Sequence, residues 1–420
     1  MITNLYDLFI KLNENYQESS LLKDLSLIKN IEKYKDIKIK HIKNLQTSVE
    51  KYETLNYPSI TCGIITYNEE RCIQRCLNSI VNEFDNTIIL DSTSTDNTID
   101  IIKNHFPSVK ILSQTWKNDF SHHRNIIINH SNDDWIYFID ADNIYNEDNK
   151  GKAKKIAKII NFLQIKCVIS PMIHEHNGHI YIDTRRLFSL KNNILFNGKV
   201  HEEPIFEDNT IPTNITVDIH ITHDGYNPEI INQDKKNIRN RNLTKQMIEL
   251  EPNNPKWLFF YARELEQANK DNHEIKNTLI KAINAYNHYE DKRYYIDTLL
   301  LLCKILFKTA EFKELSHYIT ILEKEFPNCI DSSYYKANLL LLNTQMKLRK
   351  IINYLETDLY NNKYSIINTT NDHVQYTILK LNYLLEDLEN MKNSYNKLKS
   401  NEMKQEFIKC IKNLQQIPTL

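Results

Sequence analysis

The sequence predicts an α/β domain with a mostly parallel sheet, preceded by a helical extension and followed by an all-helical half. Three observations carry this prediction. Apolar, β-prone runs alternate with amphipathic helical patterns between residues 58 and 228, as in a parallel sheet covered on both faces. All five glycines lie at or before Gly225, so the last 195 residues contain none. Glycine supplies tight turns and close backbone approach, and a stretch without it suits helices joined by simple connections. Before residue 58, Leu21, Leu25, Ile28 and Ile31 form an amphipathic helical stripe.

The elements follow in order. Residues 1–57 read as a helical extension, closed by "YPS" at 57–59. "SITCGIIT" (59–66) reads as a strand and Ile73–Phe84 as a helix. "TIIL" (87–90) is a strand, and Ile99, Ile102 and Phe106 mark the next helix. "VKIL" (109–112) is a third strand, "FSHHRNIIINH" a helix, and "WIYFIDADN" (135–143) a strand buried on both faces. Ala153, Ile156, Ala157 and Ile160 give another helix, and residues 179–222 turn strand-rich, suggesting an antiparallel extension. Beyond Pro228 the pattern is helical throughout. "LEPNNPKWLFFYAREL" and "EFPNCIDSSYYKANLL" share a helix–Pro-Asn–helix layout 75 residues apart. Half of that spacing suits helix-pair repeats of about 34–40 residues of the tetratricopeptide kind. The domains are therefore 1–57, 58–228 and 229–420.

Composition excludes several classes. The 420 residues carry 53 basic and 54 acidic side chains, so no overall basic bias points to nucleic acid or an anionic membrane. No apolar run reaches membrane-spanning length, and "MITNLYDLFIKLNENYQ" lacks a signal-peptide pattern, which predicts a cytoplasmic protein. The seven cysteines are scattered. Cys72 and Cys76 stand one helical turn apart and are expected to flank a packed helix face with Ile73, Leu77 and Ile80.

Chemistry is expected at the strand ends, where parallel sheets bind ligands. There stand "TYNEE" (66–70), "LDSTSTDNT" (90–98), "DFSHHRN" (119–125) and the Asp140–Ala141–Asp142 triplet. Strand alternation would turn both carboxylates of the triplet to one side. Two like charges there call for a cation, and hard oxygen ligands suit magnesium or manganese holding a diphosphate. Asp96 can cap the following helix.

In this order and spacing the four motifs resemble the family 2 glycosyltransferases of the GT-A fold, over about residues 58–228. Further strings agree: "RLF" (186–188), within "DTRRLFSL" (183–190), "GKVHEE" (198–203) and "HDGY" (223–226). The resemblance implies a UDP-sugar site formed by Thr66, Tyr67, Asn68, Glu69, Asp91, Ser94, Arg124, Asp140 and Ala141. Tyr67 and Asp91 would meet the uracil, Glu69 and Asp140 the ribose, and Arg124 the phosphate charge. Asp142 and His223 would hold Mg2+ or Mn2+, with His220, earlier on the same apparent strand face, as competitor. Glu202 or Glu203 would be the general base, with "VHE" favouring Glu202. Ser92 and Thr93 depart from the family, where Asp and Gly are common, and this puts the recognition of the nucleobase in doubt.

The likeness runs further, through "NPKWLFF", "NDFS", "WIYFIDADN" and "LLKDLSLIKNIEKY", to the sublancin-type peptide S-glycosyltransferases of bacteriocin (glycocin) biosynthesis. That implies an inverting, metal-dependent transfer of glucose from UDP-glucose to a cysteine, or in some relatives a serine, of a ribosomal bacteriocin precursor peptide. The helical half would bind the precursor or pair with a second subunit as a homodimer. Two other readings compete: a cell-envelope or lipopolysaccharide-type glucosyltransferase, and an inactive GT-A scaffold that binds partners through helical repeats.

Overall fold

A computed structural model describes residues 2–223 and 233–415. The chain forms two compact units, Met1–Asn269 and Lys270–Leu420.

The first unit is built on a nine-stranded sheet. A two-stranded sheet, β1 (Ile2–Asn4) with β2 (Lys38–Ile42), precedes it, together with helices α1 (Leu5–Asn15), α2 (Ser20–Leu25) and α3 (Leu45–Glu53). The N-terminal segment is thus not purely helical. The expected stripe is buried as read, but α2 stops at Leu25. Ile28 instead bridges Val217, and the Lys29 amide donates to the Thr216 carbonyl at 2.9 Å, so this stretch lengthens the main sheet.

The parallel core comprises β3 (Ile60–Thr66), β4 (Asn86–Asp91), β5 (Lys110–Ser113) and β6 (Trp135–Phe138) in spatial order β5-β4-β3-β6. Helices α4 (Ile73–Ile80), α5 (Thr98–His105) and α6 (Phe120–His130) connect them. The strand order reverses at β3, with β4 on one side and β6 on the other. Outside the carboxyl ends of β3 and β6 lies the crevice where such sheets bind ligands. Gly63 matters here because a Cβ would lie 2.9 Å from the Phe138 ring and 3.0 Å from Ile127 of α6, so glycine lets helix and sheet close up.

The sheet continues through β7 (Asn143–Tyr145), α7 (Lys152–Leu163), β8 (Cys167–Glu175), β9 (Ile180–Tyr181) and β10 (Leu187–Ser189). A hairpin of β11 (Leu195–Asn197) and β12 (Glu203–Ile205) follows, then β13 (Thr213–His223). The expected antiparallel extension is partly realised. β10 runs antiparallel to β6 and β8, and β7 to β13, but β13 is parallel to β8. One sheet face packs on α4, α7 and the N-terminal extension. The other packs Phe138, Phe188 and Ile127 with Phe196 of β11.

Helices α8 (Gln233–Leu250) and α9 (Pro255–Gln267) belong to the first unit, although they begin the glycine-free stretch. The expected boundary at 228/229 lies outside the described residues. The second unit is entirely helical: α10 (Asn272–Ala285), α11 (Tyr295–Lys308), α12 (Phe312–Glu325), α13 (Ile330–Tyr360), α14 (Asp372–Leu384), α15 (Leu388–Lys397) and α16 (Asn401–Gln415). Consecutive helices from α10 to α15 pack in series, as helix-pair arrays do. Among the described residues no helix is long and apolar enough to cross a membrane.

Candidate active site

Three layers of side chains meet at the carboxyl ends of β3 and β6. In the first, the loops after β3 and β4 lock together. Asp91, buried at the end of β4, accepts from Thr66 Oγ1 at 3.2 Å, Ser94 N at 2.9 Å and Ser94 Oγ at 2.6 Å. Asn68 N donates to Ser94 Oγ, and Thr95 N to Asn68 Oδ1, both at 2.8 Å. The N-cap of α5 is Asn97 and not Asp96 as expected; Asp96, one residue earlier, accepts from Thr98 N at the helix start and also receives Glu70 N. Thr93 adopts φ +65°, the left-handed region that suits the family's glycine and strains a β-branched residue. Tyr67 stands 56% exposed at the rim, an aromatic face open to a flat ligand.

The second layer is charged. β6 ends at Phe138, and Asp140–Ala141–Asp142 forms a turn in which Asn143 N donates to the Asp140 carbonyl at 2.9 Å. The strand geometry expected to align the two carboxylates does not persist, and they take different partners. Asp140 sits between two arginines, with Arg124 Nη2 at 3.1 Å from Oδ1 and Arg186 Nη2 at 2.8 Å from Oδ2. Burial opposes its charge, yet the Arg186 and Arg124 guanidiniums hold its carboxyl well below the usual range. Arg124 is itself buried, with the Phe138 and Phe196 rings 5.1 and 5.3 Å from its guanidinium. Its Nε donates to Glu202 Oε1 at 2.7 Å, while Nη1 is buried without a hydrogen-bond partner. Glu69 lies close by. Burial raises its carboxyl above the ordinary value, the Asp142 and Asp140 charges add to this, and Cys72 Sγ, 3.0 Å away, opposes it. Cys72 and Cys76 are both buried, as the helix-face reading required.

In the third layer Asp142 Oδ2 lies 3.1 Å from His223 Nε2, and His223 Nδ1 lies 2.7 Å from Glu175 Oε1. Burial works against a charged ring here, but Asp142 and Glu175 outweigh it and raise His223 to about 9. His220 is three residues from His223, so strand alternation puts them on opposite faces, contrary to the shared face expected. His220 instead meets His174 at 2.7 Å and Asp218 at 3.3 Å. Among the described residues no group of three or more His, Cys, Asp or Glu is arranged around one metal position. Asp142 and His223 supply two convergent donors, and Glu175 orients the imidazole as carboxylates do behind metal-bound histidines. Magnesium commonly takes one or two protein ligands, with substrate phosphate and water completing its shell. The pair therefore fits Mg2+ or Mn2+ on a diphosphate.

The sequence profile described as "Glycosyl transferase family 2" matches residues 61–200. Over 410 residues the chain is 45% identical to the SPbeta prophage-derived glycosyltransferase SunS of Bacillus subtilis (strain 168), covering 97% of this chain and 96% of that protein. The chain belongs to the family 2 glycosyltransferases. The glycosyltransferase SunS of Bacillus phage SPbeta matches equally, at 45% over 97% of this chain and 96% of its own. Over 83 residues, 20% of each protein, the chain is also 37% identical to a TPR repeat-containing protein of Synechococcus elongatus. Among solved structures, S. aureus TarS superposes with a TM-score of 0.36 at 15% identity, over 61% of this chain and 54% of that one.

The mostly parallel sheet of this family 2 glycosyltransferase is of the GT-A type. Its structure separates the two candidate bases. Glu202 shares Arg124 with Asp140, and its Oε2 has no protein partner among the described residues. Glu203 pairs with Lys256 of α9 at 3.0 Å. The α8–α9 pair backs this whole segment. Gly198, at φ +108°, faces Trp257 so closely that a Cβ would come within 2.6 Å of the indole. His201 stacks on Phe260 with ring centroids 4.0 Å apart, and its Nε2 lies 2.7 Å from Glu264 Oε1. Burial pushes this ring towards its neutral form, so Nε2–H donates to the glutamate. Asn125 Nδ2 donates to the Phe196 carbonyl at 2.9 Å and Oδ1 accepts the Phe196 amide at 2.8 Å, fastening α6 to β11.

Two members of the site, Arg186 and Glu175, were not among the sequence candidates. "RLF" drew attention to the first without giving it a partner. Nothing in sequence marks Glu175 except its place at the end of an apolar strand. Residues 224–226 of "HDGY" lie outside the described residues.

Proposed function

We propose that this glycosyltransferase is an inverting, metal-dependent enzyme that moves glucose from UDP-glucose to a cysteine thiol of a ribosomal bacteriocin precursor peptide. The observation that carries the mechanism is the Asp142–His223 pair set beside the Arg124–Asp140–Glu202 cluster. Together they offer two candidate cation ligands, a buried guanidinium and a carboxylate with one oxygen unpaired among the described residues. Likeness to the glycosyltransferase SunS over nearly the full length supports glycosyl transfer, and the acceptor class rests on the sequence resemblance to the sublancin-type peptide S-glycosyltransferases.

Tyr67 would cover the uracil, and Asp91, held by Thr66 and Ser94, keeps acceptor capacity on Oδ2 for a ring N–H. Glu69 and Asp140 would face the ribose. Asp142 and His223 would hold Mg2+ or Mn2+, which supplies neutralisation of the leaving diphosphate. Arg124, whose Nη1 is buried and unpaired, adds a fixed positive charge on the same side. The acceptor sulfur forms its bond to the anomeric carbon as the carbon–oxygen bond to UDP breaks, and the electron pair leaves with the diphosphate. The thiol proton passes to Glu202 Oε2. Attack from the face opposite UDP inverts the centre. A thiol is a few per cent ionised at neutral pH, so a carboxylate base suffices.

The test is mass spectrometry of a cysteine-containing precursor incubated with the full chain, Mg2+ and a panel of nucleotide sugars. A single hexose on the cysteine, lost when that residue is changed to alanine, is expected. Hexose found only on lipid or glycan, or full transfer in verified metal-free buffer with EDTA, would overturn the proposal.

A further inference from the structure

At the other end of the sheet, beside the N-terminal starts of β3 and β6, lies a cavity of about 550 Å³. It is walled by β2, α3, the Asn56–Pro58 segment and the second half of α7. Among its lining residues are four lysines, Lys40, Lys51, Lys158 and Lys191, against one acid, Asp134. In a chain with a formal net charge of −1, this is a local concentration of positive charge.

The one acid is already engaged. Asp134 takes Lys191 Nζ at 2.9 Å and accepts from Ser59 N at 3.3 Å and Ser59 Oγ at 3.4 Å. Lys40, Lys51 and Lys158 have no carboxylate within ion-pair distance among the described residues. Lys158 is the most telling of these. The residue is 6% exposed, and its ammonium rests 4.4 Å from the Tyr52 ring centre and 5.0 Å from that of Tyr57. Ring faces stabilise the charge but leave three N–H donors to be satisfied from the cavity. The Asp24 charge acts on Lys158 from beyond ion-pair distance, and its carboxylate accepts the Tyr52 hydroxyl at 2.6 Å. Tyr57, half exposed, offers a flat lip.

We propose that this cavity is a second ligand site, separate from the crevice. Its ligand is a small, multiply charged anion whose phosphate or carboxylate oxygens meet Lys40, Lys51 and Lys158, with a flat portion resting on Tyr57. The volume is that of a small-molecule pocket, and the absence of basic bias elsewhere argues against an extended polyanion.

The test is isothermal titration of the full chain in buffer freed of divalent cations by a chelating resin, which keeps cation-dependent diphosphate binding out of the crevice. The probes are inorganic pyrophosphate, citrate and a hexaglutamate peptide. Saturable binding of pyrophosphate, citrate or both is expected, and the active probe identifies phosphate or carboxylate as the source. The double variant Lys40→Gln/Lys51→Gln alters two exposed side chains. It should weaken binding at least about tenfold, the scale of losing charge-assisted hydrogen bonds. Its circular dichroism and its transfer rate without probe should stay unchanged. Lys158→Met should weaken binding likewise, and if it unfolds the double variant still decides. Asp142→Ala should leave the titration unaltered. No saturable binding, binding indifferent to the double variant, loss of binding in Asp142→Ala, or binding of hexaglutamate alone would overturn the proposal.

Discussion

The two ends of the candidate crevice are built differently. At the end proposed for the nucleotide, hydrogen bonds among Asp91, Ser94, Asn68 and Thr95 tie the loops after β3 and β4 together, and the buried Ser92 Oγ is left without a partner among the described residues. At the end proposed for the diphosphate, charge dominates, and the buried charged atoms Arg124 Nη1 and Glu175 Oε2 have no hydrogen-bond partner among the described residues. An unmade buried hydrogen bond costs about 1–3 kcal/mol, more for charged groups. The contrast teaches that the first end is a hydrogen-bonded frame, while the second holds unpaired charged atoms, the capacity that the proposed donor and cation would use.

Substitutions at the second end should therefore cost activity more than stability. The largest effect is expected for Asp142→Ala, which removes the proposed oxygen ligand and should abolish turnover and metal-dependent UDP binding. Steady-state kinetics with a Mg2+ titration would check this. Glu202→Gln should leave donor affinity nearly unchanged and slow transfer by roughly 10²-fold or more, the scale of losing a general base. Part of that rate should return at alkaline pH, where the acceptor thiol ionises unaided. A normal rate for Glu202→Gln with a dead Glu203→Gln would reverse the assignment. Glu175→Gln should cost about 10–100-fold in metal affinity or activity, because it loosens the His223 ring without touching the cation position.

Smaller effects should separate structure from chemistry. Glu203→Gln breaks the largely buried pair with Lys256, so thermal unfolding should show a loss of about 1–3 kcal/mol while the transfer rate stays within about threefold. The smallest change is expected for Thr93→Gly, which relieves a left-handed β-branched residue and should alter stability by no more than about 1 kcal/mol in the favourable direction. A large loss of UDP binding in that variant would mean that the Thr93 side chain, and not its backbone, serves the nucleotide.

Much of this architecture was legible in the sequence. Alternating apolar runs marked β3, β4, β5, β6 and the helices between them, because burial on both sheet faces leaves a plain pattern. The strand-end motifs marked one crevice, since parallel strands bring their carboxyl ends together. The helical extension was legible only in part. Leu21, Leu25, Ile28 and Ile31 are all buried, but helical spacing could not reveal that Ile28 would pair with a strand almost 190 residues away.

What the sequence determined by itself was whatever depends on local periodicity and on the chemistry of short motifs: the alternating core, the glycine-free helical half, carboxylates placed at strand ends and an arginine in the first turns of a helix. What the tertiary structure decided was which charge meets which. It turned the aspartate triplet out of strand geometry, giving Asp140 to two arginines and Asp142 to His223. It assigned Glu202 to the crevice and Glu203 to Lys256, and placed His220 on the face away from His223. The physical reason is that an ion pair depends on distances of a few ångströms between residues far apart in the chain. Arg124 and Glu202 are 78 positions apart and 2.7 Å from each other, and no local pattern encodes that separation.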